Sequence, residues 1–140
     1  MRVLIDTCIW SYAFRRNNKS YKKNSLHQGY TKELTELVKE SRVEIIGSIR
    51  QEVLSGMKHQ DQFTKLKNRL SAFPDLQLTE NDYELAAEFF NKLRSKGIQG
   101  SNTDFLLCAV SVNHNLMIFT DDGDFTEFKR YIPVYLHTLR

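Results

Sequence analysis

The chain has 140 residues and a formal net charge of +3, with 26% charged and 41% hydrophobic residues. This composition is typical of a globular protein and excludes a disordered one, and no stretch approaches the roughly 18 consecutive apolar residues of a membrane span. We expect one domain over residues 1–140, with a mild positive charge that permits a polyanionic partner without requiring one.

The first predicted element is a strand. Residues 2–6 are an apolar run that ends in Asp6, which is typical of a buried strand in a parallel sheet. Asp6 also interrupts the N-terminal apolar run, and no small-residue cleavage site follows, so a secretory signal is not expected. Ile9, Trp10 and Phe14 then have helical spacing, and Trp10 is expected in the core.

A basic stretch without acids follows this helix. Its members are Arg15, Arg16, Lys19, Lys22 and Lys23. A solvated basic loop and a surface that contacts a phosphate backbone are both compatible with this stretch.

Strand and helix patterns alternate through the rest of the chain. Further strands are expected at 43–46, 76–78, 116–119 and 134–136, with helices between them. Short apolar strands separated by helices predict an α/β fold with three layers, α/β/α, and a short parallel sheet of four to five strands.

Two of the helices have predicted capping boxes. Ser48 and Gln51 match the S-x-x-Q pattern at the start of one helix, and Thr79 with Asp82 caps a long helix that is expected to end near Gly97.

Acidic residues occur where these elements begin or end. They are Asp6, Glu52, Asp104, Asp121, Asp122 and Asp124. Asp6 and Asp104 have ordinary explanations as helix-capping or dipole-stabilising residues, and Glu52 as an exposed side chain. Three carboxylates within one turn after a buried strand repel one another unless a cation or protons intervene.

The acids indicate a metal site of a particular kind. In parallel sheets, ligands bind beyond the carboxyl ends of the strands, which places Asp6 and the residue 121–124 turn at one edge. Carboxylate oxygens suit Mg²⁺ or Mn²⁺, whereas the four scattered histidines do not have the spacing of a zinc site. Cys8 and Cys108 lack C-x-x-C spacing and are expected to be reduced core residues of a cytoplasmic protein.

Taken in order, these motifs resemble the PIN-domain ribonucleases, and most closely the VapC toxins of VapBC toxin-antitoxin systems. The matching segments are VLIDTCIW, IRQEVLSG, LQLTENDYELAAEFFNKLRSKG, SNTDFLLCAV and the T-x-D-x-D-F pattern of residues 120–125. The resemblance covers nearly the whole chain, so it implies a single PIN-like domain.

The resemblance implies a catalytic quartet of Asp6, Glu52, Asp104 and Asp122. It implies metal ligation by Asp6, Asp104, Asp122 and, as a further ligand, Asp124. Thr120 either orients a ligand or caps the turn. Asp121 adds an acid next to Asp122, which leaves open which carboxylate of the turn faces the metal.

The implied activity is Mg²⁺- or Mn²⁺-dependent hydrolysis of RNA phosphodiester bonds, with the basic stretch along the RNA backbone. The implied partners are a cognate VapB-like antitoxin and a second copy of the chain as a homodimer.

Three alternatives remain. A housekeeping RNA-processing nuclease would have the same chemistry without an antitoxin. A non-catalytic RNA-binding or scaffolding module would bind RNA without metal. A phosphate-accepting receiver domain is also an α/β protein with clustered acids, but this chain lacks a clear mid-chain strand-end Asp and a late Lys.

Overall fold

The sheet is formed by four short strands that run in the same direction. The computed structural model describes residues 1–14 and 25–140. The strands are β1 (Val3–Ile5), β2 (Val43–Glu44), β3 (Met117–Phe119) and β4 (Tyr135–Leu136). Their order is β2-β1-β3-β4, and every neighbouring pair is parallel. All three residues of β1 are 0% exposed. Because successive side chains of a strand point to opposite faces, both faces of the sheet are covered at β1, and the predicted α/β/α fold is confirmed.

The helices of the described residues alternate with these strands. They are α1 (Thr7–Phe14), α2 (Ser25–Lys39), α3 (Gly47–Leu54), α4 (Gln60–Leu70), α5 (Glu80–Ser95), α6 (Asn102–His114) and α7 (Asp124–Lys129). α1 packs against α2 and α3, and α5 and α6 make the most extensive contact between two elements of the described part. None of the helices described here has the length and apolar character needed to cross a bilayer.

The predicted limits of α5 are confirmed. Thr79 and Asp82 form the predicted capping box, and Gly97 has a φ of +77° two residues beyond the last helical residue. This left-handed conformation favours glycine, which lacks the Cβ that strains other residues there.

The predicted strand at 76–78 does not form. Only an isolated parallel bridge between Ile45 and Asp75 extends the sheet there, with the Leu76 N–H donating to the Ile45 carbonyl at 2.8 Å. Arg50 holds the residues just before this segment, because its guanidinium pairs with Asp75 and donates to the carbonyls of Leu70 and Phe73.

The predicted capping box of Ser48 and Gln51 is also wrong. α3 begins at Gly47, two residues earlier than a Ser48 cap requires, and Ile46 occupies the N-cap position without a side-chain cap. Ser48 is therefore inside the first turn, and its buried hydroxyl oxygen has no hydrogen-bond partner among residues 1–14 and 25–140.

Aromatic packing fixes the two segments that carry Asp104 and the acidic turn. Phe125 and Phe128 of α7 are fully buried, and the Phe128 ring lies 5.0 Å from that of Phe105 on α6, between centroids. A Cβ at Gly100 would lie 2.8 Å from the Phe128 ring, so this close approach requires glycine. The first turn of α6 and the start of α7 are thereby held beside each other.

Candidate active site

Asp6 and Thr120 follow the carboxyl ends of two neighbouring strands. The Asp6 N–H donates to the Phe119 carbonyl at 3.0 Å, which joins the ends of β1 and β3. The Thr120 hydroxyl donates to Asp6 Oδ2 at 2.7 Å, and the Thr7 N–H donates to Asp6 Oδ1 at 2.7 Å. Asp6 is 7% exposed and therefore has both carboxylate oxygens engaged in a nearly buried position. Its main-chain carbonyl also accepts from Ile9, so Asp6 begins α1 as well.

The acidic turn is ordered by its own side chains. The Thr120 hydroxyl accepts from the Asp122 N–H at 3.0 Å, and Asp122 Oδ1 accepts from the Asp124 N–H at 2.9 Å. Thr120 thus contacts Asp6 and also caps the turn. Asp124 is exposed in the first turn of α7.

Asp121 points to a different set of partners. Tyr12 donates to its Oδ2 at 2.7 Å, and Tyr30 donates to its Oδ1 at 2.8 Å. These phenols belong to α1 and α2, whereas Asp122 lies beside Thr120 and Asp124.

Glu52 and Asp104 come from the helices around this sheet edge. Glu52 on α3 is exposed, and its Oε2 accepts from the Thr7 hydroxyl at 2.6 Å. Asp104 is half-buried in the first turn of α6, where its Oδ2 accepts from the Ser101 N–H at 3.1 Å and its own N–H donates to the Ser101 hydroxyl at 3.1 Å. This capping box restrains the Asp104 side chain.

The four carboxylates act on one another electrostatically. The pKa of Asp6 is raised to about 6, mainly because the carboxyl is buried. The hydrogen bonds from Thr120 and Thr7 oppose this rise, and the charges of Asp104 and Asp122 add smaller contributions to it. Burial also raises the pKa of Asp104, with contributions from Asp122 and Glu52 and an opposing effect of Ser101. The four side chains are thus within electrostatic range of one another in the pairs named above.

The donor chemistry of this group fits a hard divalent cation. All of its candidate ligating atoms are carboxylate oxygens. A bound cation offsets the burial of the Asp6 charge, which is the main cause of its raised pKa, and also the smaller repulsion from Asp104 and Asp122. Within residues 1–14 and 25–140, no three carboxylate, thiol or imidazole side chains are gathered closely enough to hold a metal ion. Asp104 and Asp122 instead bond to main-chain N–H groups of their own turns, so metal ligation requires these side chains to turn inward.

Both cysteines are free, and Cys108 is fully buried, whereas Cys8 is only half-buried. Burial raises the pKa of Cys8 to about 11, with a further contribution from Asp6, and burial raises that of Cys108 as well. Because the thiolate is the reactive form, neither residue has the character of a nucleophile at neutral pH.

The sequence did not predict several residues that contact the acids. Thr7 and Ser101 hold Glu52 and Asp104, and their positions next to Asp6 and at a helix start were available as signals. Tyr12 and Tyr30 had no such signal, because they lie 109 and 91 residues from Asp121. The predicted RNA-backbone residues, Arg15, Arg16, Lys19, Lys22 and Lys23, lie outside the described residues.

Three solved structures resemble the chain over almost its full length. VapBC2 from Rickettsia felis, bound to a DNA fragment from their promoter, has a TM-score of 0.72 at 23% identity and covers 98% of both chains. FitAcB from Neisseria gonorrhoeae has a TM-score of 0.73 at 18% identity, covering 97% of this chain and 96% of that one. VapBC-1 from nontypeable Haemophilus influenzae has a TM-score of 0.71 at 14% identity, covering 99% and 98%. These similarities establish a shared fold.

The family of the chain follows from its sequence match. The PIN domain family model matches residues 3–131, which is most of the chain. No curated protein matches it. The chain therefore belongs to the PIN-domain family, as its motifs predicted.

Proposed function

We propose that this protein is an Mg²⁺- or Mn²⁺-dependent endoribonuclease formed by a single PIN domain over residues 1–140. The observation that carries the proposal is the hydrogen-bonded path from Asp6 through Thr120 to Asp122 at the carboxyl ends of β1 and β3, with the Thr7 hydroxyl joining Glu52 to the same edge. The charges of Asp104 and Asp122 also raise the pKa of Asp6, which is not expected of isolated caps or surface acids. Membership of the PIN-domain family supports a nuclease.

In this proposal Asp6, Asp104 and Asp122 hold the metal, Asp124 is a further ligand, and Glu52 completes the acidic quartet. When bound, the metal lowers the pKa of a water and stabilises charge on the phosphate. Thr120 keeps the Asp6 carboxylate turned toward the site through its 2.7 Å hydrogen bond. Thr7 does the same for Glu52 at 2.6 Å. Arg15, Arg16, Lys19, Lys22 and Lys23 follow the RNA backbone and give salt-dependent affinity.

We further infer that the protein is the toxin of a toxin-antitoxin pair. The two VapBC structures that share its fold support a VapB-like antitoxin as partner. A homodimer of the chain and a cytoplasmic location, where its RNA substrate is found, belong to the same proposal. Coexpression with the neighbouring open reading frame, followed by size-exclusion chromatography, tests this assembly.

Replacement of Asp104 by Asn tests the chemistry. Asn can still accept the Ser101 N–H, so the helix cap is retained while the charge is lost. We expect RNA cleavage to fall by at least about a hundredfold, roughly 2.7 kcal/mol of transition-state stabilisation, and chelator to abolish the wild-type activity. Cleavage-site mapping on total RNA measures the effect of the substitution and the effect of chelator, and it identifies the substrate.

Asp61→Asn is the matched control, because Asp61 is exposed in the first turn of α4 and lies outside the acidic group. Its cleavage rate should equal that of the wild type. Undiminished cleavage by a folded Asp104→Asn protein contradicts the proposal. RNA binding without any cleavage, unaffected by chelator, favours the non-catalytic module.

A further inference from the structure

The carboxylate of Asp121 is held by two tyrosines that are distant in sequence. Tyr12 on α1 donates to one oxygen and Tyr30 on α2 to the other, at 2.7 and 2.8 Å. The Asp121 N–H also donates to Cys8 Sγ at 3.4 Å. Asp121 is therefore bound through both its side chain and its main chain to the helices that flank the sheet. We call Tyr12, Tyr30 and Asp121 the tyrosine clamp.

The tyrosines of the clamp are themselves fixed by packing. The Tyr12 ring stacks on His27 with centroids 3.9 Å apart and an interplanar angle of 20°. The Tyr30 ring lies 5.8 Å from Phe119, the last residue of β3, between centroids. Since α1 and α2 pack against each other, the two phenols approach Asp121 from neighbouring helices.

Asp122 is linked to Asp6 through Thr120, whereas the Asp121 carboxylate is bound by the two tyrosines. Asp122 donates its N–H to Thr120, whose hydroxyl donates to Asp6. Asp122 is also the residue of the turn whose charge acts on Asp6 and Asp104, while the charge of Asp121 acts on Cys8 and Tyr30. The two neighbouring acids thus face different groups.

We propose that the tyrosine clamp is a positioning device that keeps Asp121 out of the metal site and leaves Asp122 as the acid of the turn that can join Asp6 and Asp104 there. This inference rests on the proposed metal-dependent nuclease. Tyr12 and Tyr30 are positioning residues, because their hydroxyls bind Asp121 and act on the metal site through the turn.

The first test compares Asp121→Asn with Asp122→Asn. The two variants make the same chemical change at adjacent positions, and isothermal titration calorimetry measures their Kd for Mn²⁺ in the absence of RNA. We expect Asp122→Asn to weaken binding by at least about tenfold and Asp121→Asn by less than about threefold. An Asn at 121 can still hydrogen-bond to the phenols. Equal losses in both variants overturn the proposal.

The second test removes the two tyrosine hydroxyls of the clamp and leaves Asp121 unchanged. In the Tyr12→Phe/Tyr30→Phe protein we expect the Mn²⁺ Kd to weaken by about tenfold, as when groups that orient metal ligands are lost. Cleavage should fall at low Mn²⁺ and return at saturating Mn²⁺, with the KM for RNA unchanged. Tyr135→Phe is the control, because Tyr135 is 64% exposed on β4.

Each single variant, Tyr12→Phe or Tyr30→Phe, retains one of the two phenol hydrogen bonds to Asp121. These variants provide the test if the double variant does not fold. An intermediate Kd in the single variants supports the clamp, and a wild-type Kd in both overturns it. Because calorimetry is independent of cleavage, wild-type protein that binds Mn²⁺ but does not cut RNA contradicts only the proposed function.

Discussion

At the scale of single residues, Asp6 is the side chain whose environment departs most from that of an ordinary acid. It is almost buried, next to two other carboxylates, and its pKa is raised from 3.8 to about 6. Such a group is ionised at neutral pH at a cost in folding free energy, which a bound cation can offset. Buried acids with strongly shifted pKa values occur at functional sites, where their charge lowers the stability of the fold.

Asp6→Asn should therefore stabilise the metal-free protein. A carboxyl with a raised pKa binds more protons in the folded than in the unfolded state, so its contribution to stability decreases as pH rises from about 4 through 6. At pH 7 in chelator we expect the variant to have a free energy of unfolding about 1 to 3 kcal/mol above that of the wild type.

Urea denaturation at pH 4 and pH 7 measures this effect. The difference between the two proteins should shrink toward pH 4, where the folded wild type is protonated at Asp6. A variant no more stable than the wild type at pH 7 contradicts the proposed electrostatic cost at this position.

At the scale of elements, α6 is fixed at both ends by acids. Ser101 and Asp104 form the capping box at its start. At its end, buried Asp82 of α5 accepts from Asn113 at 3.0 Å and contacts His114 Nε2 at 3.0 Å. Asp82 also accepts from the Thr79 N–H at 3.0 Å, so the same carboxylate begins α5 and anchors the end of α6.

Asp82→Asn should destabilise the fold without affecting the acidic group directly. Burial alone would raise the pKa of Asp82, but the hydrogen bonds from His114, Thr79 and Asn113 lower it below its ordinary value of 3.8. We expect a loss of about 2 kcal/mol in the free energy of unfolding at pH 7, as for a buried hydrogen bond to a charged group.

The contribution of Asp82 to the free energy of unfolding changes with pH in the opposite direction to that of Asp6. A lowered pKa contributes stability above the ordinary value, and that contribution disappears as pH falls through the folded pKa. The full difference in free energy of unfolding between the wild type and Asp82→Asn should therefore be present at neutral pH. It should decrease below about pH 4, as measured by urea denaturation. Glu88→Gln, an exposed change on the same helix, is the control. A loss that is equal at all pH values contradicts the assignment to ionised Asp82.

At the scale of the whole molecule, metal binding and folding should be coupled. The acids come from elements at both ends of the chain, so a cation bound among them links β1, α3, α6 and the turn after β3. A ligand that binds only the folded state stabilises it by about 2.7 kcal/mol at one hundred times its Kd.

We expect Mn²⁺ at about one hundred times its Kd to raise the wild-type free energy of unfolding by about 2.7 kcal/mol. Urea denaturation with and without chelator measures this increase. Asp104→Asn should show little of this increase, and Asp61→Asn should show all of it. An equal increase in every protein indicates binding outside the acidic group.

The sequence determined the class of fold and the identity of the candidate residues. Apolar runs such as Val3 to Ile5 predicted parallel strands, and the capping box of Thr79 and Asp82 predicted the start of α5, because local patterns record burial and hydrogen bonding between near neighbours. The same patterns failed at residues 76–78, where a single bridge between Ile45 and Asp75 forms in place of a strand, and at Ser48, where α3 starts earlier than the capping pattern predicts. A local pattern does not show how much of a segment pairs with a neighbouring strand.

The tertiary structure alone decided how the acids are arranged. Three adjacent aspartates are indistinguishable in a sequence, since each carries the same carboxylate at a strand end. Folding separates them, because Tyr12 and Tyr30 bind Asp121 from positions 109 and 91 residues away, while Thr120 connects Asp122 to Asp6. Contacts over such separations depend on the packing of α1 and α2 against the sheet, and local patterns contain no record of that packing.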